Sequence, residues 1–157
     1  MKKFILASLL LASGQMALAA NWLSTGISSD VRKETIGVDY DSISAYHFNS
    51  YDNYDKDSYY VTAWVKKDFP TAQKLNDGKL YRQAKELWYV DCLGKRVTWG
   101  DVAVYGSNGN LVWSNQNSYI NTHSSSNWNR VIPDSIGEDV SEFICGVYDT
   151  KSKSQTK

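Results

Sequence analysis

The sequence is short of the residues that most often carry chemistry or anchor a chain. It holds two cysteines, two histidines and two prolines in 157 residues, and its basic and acidic residues balance at 17 each. Each shortage excludes something. The first cysteine is Cys92, so no thiol near the N-terminus accepts a lipid. Cys92 and Cys145 do not form a Cys-x-x-Cys redox pair. His47 and His123 sit in separate polar stretches, without the close His/Cys spacing of a zinc site. Balanced charge makes a poor nucleic-acid binder, which rewards strongly basic surfaces. No Walker loop or dinucleotide fingerprint occurs, and Gly106-Ser107-Asn108-Gly109 lacks the spacing of a nucleophile elbow. The run DNYDKD (52–57) clusters carboxylates as calcium sites do, but it has no glycine at the turn and no bidentate glutamate after it. The expectation is a protein with no metal, no cofactor and no enzymatic activity.

Long apolar runs are also missing. The N-terminal MKKFILASLLLASGQMALAA pairs Lys2 and Lys3 with a short apolar run from Phe4 to Leu11, and Ala17-Leu18-Ala19 is a small-x-small site. Ser13, Gly14 and Gln15 cut that run below the ~20 residues a membrane span needs. Residues 1–20 therefore read as a signal peptide cleaved after Ala19 or Ala20, followed by one domain over 21–148 and a polar, frayed tail over 149–157. Losing Lys2 and Lys3 leaves 15 basic against 17 acidic residues, a formal net of −2. The expected protein is exported through the inner membrane to the periplasm, the medium or the cell surface, with no membrane span and no lipid anchor.

Aromatics are plentiful at 13%, with all six tryptophans after the signal, which suits strands. Candidate strands are 21–27, 34–40, 58–69, 80–91, 96–105 and 111–114. In the third, Val61, Ala63 and Val65 alternate with Tyr60, Thr62 and Trp64, and Pro70 is expected to end the run. Gly100 marks a bulge, and Asn108-Gly109 signals a type I′ hairpin. Polar stretches over 44–57 and 115–127 read as loops. After Pro133, Ser135 and Glu138 form a capping box that opens a helix running to Cys145. At roughly 100° per residue, Glu138, Asp139 and Glu142 share about a third of its circumference and should be exposed. Ile136, Gly137, Val140, Ser141, Phe143, Ile144 and Cys145 form the buried side. These elements predict an α+β fold, an antiparallel sheet of about six strands with one C-terminal helix on one face.

Two cysteines in an exported chain read as one disulfide, Cys92–Cys145, tethering helix to sheet. Strand alternation then puts Ala84, Glu86, Trp88 and Val90 beneath the helix with Cys92. Lys85, Leu87, Tyr89 and Asp91 point to the other face. Around this strand Lys79, Arg82, Lys85, Lys95 and Arg96 interleave with Tyr81, Leu87 and Tyr89, which are expected at the surface. Such a cluster is a candidate site for an acidic protein or polysaccharide. The same lysines also suit a solvated strand edge, where they discourage unwanted pairing. A sheet covered by one helix leaves its other face needing cover, from curling, a second subunit or a ligand.

The landmarks VDYDSI (38–43), AWVKKDF (63–69), YVDC (89–92), Trp128 and IPDSIGEDVSEFIC (132–145) together resemble the surface-adhesin protein E family of Gram-negative bacteria. The resemblance spans nearly the whole chain after the signal. It implies an extended antiparallel sheet with a disulfide-tethered helix and a non-enzymatic role in cell adhesion and virulence. It further implies binding of host extracellular-matrix or serum proteins and an ability to form homodimers. The family's namesake is a lipoprotein and this chain has no lipid-accepting cysteine. The alternative is a periplasmic accessory or structural protein of the same fold with an envelope partner.

Overall fold

Regular alternation and long pairing partners make the centre of the sheet. The computed structural model describes residues 20–47, 59–116, 120 and 128–155. In it, eight strands form one antiparallel sheet: β1 (Trp22–Ser24), β2 (Thr35–Asp39), β3 (Ser44–Tyr46), β4 (Tyr60–Lys74), β5 (Leu80–Asp91), β6 (Arg96–Tyr105), β7 (Leu111–Asn115) and β8 (Asn129–Arg130). Their main path runs β1-β2-β4-β5-β6-β7, with β3 beside β4 and β8 beside β6. The six strands on the main path are those the alternation predicts. The two short ones lie in or beside polar segments and take their place from partners: Ser44 opposite Thr62, Arg130 opposite Arg96. The acidic run at 52–57, His123 and most of the 115–127 loop lie outside the described residues.

Pro70 does not end β4. Pairing with β5 breaks between Asp68 and Gln73 and resumes beyond, so an irregularity absorbs a residue that has no N–H to donate. The bulge at Gly100 is present, with register shifting between Glu86 and Trp88 on the partner strand. A Cβ on Gly100 would lie 2.9 Å from Tyr89 Cε2, so the bare backbone makes room for that ring. The Asn108-Gly109 hairpin is real but is not type I′. Only Gly109 has positive φ (77°); its N–H donates to Gly106 O, and the Gly106 N–H donates to Asn110 O. That pattern is a type I turn closed by a left-handed glycine. The β4–β5 hairpin repeats it around Gly78 (φ 91°).

One helix, α1 (Ile136–Gln155), crosses a single face. Ser135 Oγ accepts the Glu138 N–H at 3.3 Å, as a capping residue should. Val140 and Ile144 are fully buried against Val38, Val61, Ala63, Val65, Trp88, Val90 and Val97. Trp88 and Val90 are on the alternation predicted from Cys92, the other strand residues join them through register, and the disulfide is present, with its Cα atoms 6.0 Å apart. A second, smaller core of Phe69, Ala84 and Val104 lies nearer the β4–β5 and β6–β7 turns.

Two expectations for the helix need correction. Glu138 is half-buried rather than exposed, because one carboxylate oxygen accepts the Asp134 N–H at 2.8 Å and the other meets Lys95 at 3.6 Å. The helix also runs ten residues beyond Cys145, where fraying was expected. Lys151 explains the extension. Its ammonium donates to the carbonyls of Tyr40 (2.7 Å) and Ile43 (2.9 Å) and lies 4.4 Å from the Tyr40 ring centre. The disulfide fixes the middle of the helix, and this lysine fixes its last turns.

Candidate functional site

Register, rather than sequence proximity, decides which side chains meet on the face away from α1. Gly37, Lys66, Lys85, Ala103 and Ser114 stand directly opposite one another across five strands. Lys66 and Lys85 thus form a cross-strand pair of like charges. The Lys66 ammonium lies 5.0 Å from the Trp22 ring centre and that of Lys85 5.8 Å from the same ring. Lys85 is also 5.0 Å from the ring of Tyr105. Among the described residues one carboxylate pairs with either lysine: Asp68, 3.3 Å from Lys66 and further held by Gln83 at 2.7 Å. Among the described residues no α-helix lies over this face. Its larger residues, Trp22, Trp64, Leu87 and Tyr105, are half-buried.

The sequence-predicted cluster is divided by the fold. Lys85 and Leu87 reach the open face. Tyr89 stands there too but is buried rather than exposed, under the edge of Tyr46 at 5.3 Å and over Gly100. Burial, then the neighbouring Tyr46 and Asp101, push its phenol above the usual range. Tyr81 is also less exposed than expected, since it packs edge-on against Phe69 at 5.7 Å. Arg82 is exposed and shares a shallow hollow with Asp68, Gln83 and Tyr105. Lys79 sits at the β4–β5 turn, paired with Asp77 at 2.9 Å. Lys95 lies on the helix side between Glu138 (3.6 Å) and Glu142 (3.8 Å). Arg96 is bonded to Asp91 at 2.6 Å, which holds its guanidinium above its ordinary range, and it lies over Trp128.

Trp22 and Lys66 complete the open-face group and are absent from the sequence-level cluster. They come from other strands, so the available signal was strand parity applied to β4, which puts Trp64 and Lys66 opposite Val65. The lysine that follows shows the contrast between faces. Lys67 points toward the helix side and is bonded to both oxygens of Glu86, at 2.8 and 3.1 Å.

Another concavity, about 550 Å³, lies beside the disulfide and is lined by Tyr59, Tyr60, Leu93, Tyr148, Asp91 and Asp149. Asp91 there is held by Arg96. Among the described residues no group of three or more His, Cys, Asp or Glu side chains is placed to hold a metal, and no helix is long and apolar enough to cross a membrane.

An antiparallel sheet with a helix bonded to one face and aromatics and lysines on the other defines a small, disulfide-tethered β-sheet module. The family model described as surface-adhesin protein E matches residues 22–146. The chain belongs to this family of adhesin-like surface proteins, as its motifs imply. No curated protein and no solved structure matches it.

Proposed function

We propose that the protein is an exported, non-enzymatic binding module whose open sheet face contacts a protein of the host extracellular matrix or serum. The observation that carries the reading is that face: a row of half-buried aromatics and lysines with no α-helix over it among the described residues. A sheet face that carries aromatic rings and has no covering layer is a candidate for contact with a partner. Family membership supports the adhesin role and a function without catalysis. The reading takes residues 1–20 as the export signal and 21–148 as the working domain.

A second reading has one specific observation in its favour. Both cysteines are joined to each other, so neither is left to carry a lipid anchor. A periplasmic accessory protein with an envelope partner fits that chemistry. Surface labelling of intact cells separates the two, since a protein reached only after the outer membrane is opened is no host adhesin. For the first reading, purified mature protein should bind immobilised matrix or serum proteins, and Arg82→Glu/Lys85→Glu should weaken that binding. Unchanged binding by the double variant would remove the open face as the site. A solution mass that is doubled in the wild type and single in the variant would make the face a self-association surface instead.

A further inference from the structure

Lys66 and Lys85 face each other directly in the β4–β5 pair, an arrangement that costs stability in an antiparallel sheet. The sheet offsets it only partly. Trp22 and Tyr105 offer their ring faces to the ammoniums, and Asp68 pairs with Lys66, but among the described residues no carboxylate pairs with Lys85. On the helix side Lys67 is matched by Glu86, and at the β4–β5 turn Lys79 is matched by Asp77. Small residues flank the pair in this row: Gly37 beside Lys66, where the Lys66 chain and Trp22 lie over the bare backbone, and Ala103 beside Lys85. Larger side chains stand on both sides: Trp64 and Leu87 on one, Asp68, Gln83 and Tyr105 on the other. The result is a shallow trough that crosses the strands, floored by two ammoniums and flanked by aromatic rings.

We infer that this trough takes a sulfated, uronate-containing glycan, so that the part of a matrix protein it grips is a glycosaminoglycan chain. This deepens the adhesin reading and rests on it. The chemistry fits on two counts. Sulfate and carboxylate groups would supply the charge that Lys85 lacks, and adjacent strands are about 4.8 Å apart, close to the length of one pyranose unit. The C–H face of a pyranose also suits the flat rings of Trp22 and Tyr105, whose faces carry partial negative charge. An acidic polypeptide supplies the charge but no comparable ring.

The test uses heparin as the probe and the folded mature protein with its disulfide intact. Wild-type protein should bind heparin, weaken as salt rises, and prefer it to chemically desulfated heparin and to poly-glutamate. Lys66→Ala/Lys85→Ala should lose at least tenfold in affinity, while Lys79→Ala/Lys95→Ala changes little. The first variant should also melt at or slightly above the wild-type temperature, because a repulsive pair has gone; this separates lost contact from lost fold. Equal or tighter binding to poly-glutamate, or heparin binding that survives Lys66→Ala/Lys85→Ala, would overturn the inference. A matrix preparation tested before and after enzymatic removal of its glycosaminoglycans tells the two failures apart. Binding that persists after removal sinks the glycan and leaves the adhesin reading standing. No binding to either preparation sinks the adhesin reading itself.

Discussion

The two faces of the sheet solve different problems with similar residues. Under α1, lysine and aromatic side chains are matched: Lys67 bonds Glu86, the Trp88 indole N–H donates to the same carboxylate at 2.9 Å, and aliphatic chains fill the rest. On the open face the lysines stand opposite one another; Asp68 pairs with Lys66, and at Lys85 the rings of Trp22 and Tyr105 take the place of a carboxylate. Matching of every polar group is what a face needs for stability. Charge left poorly matched in the folded state is what a face needs for a partner of opposite sign. The covered face holds the module together, and the open face is available to a ligand.

Breaking the tether should give the largest effect. Cys92→Ser/Cys145→Ser frees a loop of 53 residues and is expected to cost about 2–5 kcal/mol, measured by urea unfolding. Next is Ile144→Ala, which empties a fully buried site beneath the helix and should also cost about 2–5 kcal/mol, toward the lower end where the helix can settle. Neither change touches the trough, so ligand binding by the folded fraction should stay near wild type.

Lys151→Met removes two hydrogen bonds from a charged donor to backbone carbonyls, expected to cost about 2 kcal/mol. Its signature is local: amide exchange should rise over 149–155 while the turns around Val140 and Ile144 stay protected. Lys85→Glu should have the smallest effect on stability and of opposite sign. It turns a repulsive cross-strand pair with Lys66 into an attractive one and should raise stability by about 0.2–1 kcal/mol, while ligand binding falls. A fall in stability there would mean that the lysine pair is structural.

The sequence carries the covered face well because that face is built from local rules. Alternation in β4 and β5, the capping box at Ser135 and Glu138, and the cysteine pair each point to one side of the sheet, and they agree. The open face depends on register, which no single segment states. A cluster read along the chain joined Lys79, Lys85 and Lys95. The fold sends Lys79 to a turn and Lys95 to the acidic side of the helix, and brings Lys66 and Trp22 in from other strands. The last turns of α1 were hidden for the same reason. A polar tail frays by itself, and only the remote carbonyls of Tyr40 and Ile43 give Lys151 a reason to hold it. Where Tyr89 was expected at the surface, Gly100 on the neighbouring strand made the space that buries it.

The division of labour between the faces is tested most directly by amine labelling of lysines, with and without bound heparin or matrix. Lys66 and Lys85 should become protected on binding, while Lys95 and Lys151 on the helix side keep their reactivity. Protection of Lys95 and Lys151, with Lys66 and Lys85 labelled as before, would place the ligand on the covered face and contradict the assignment.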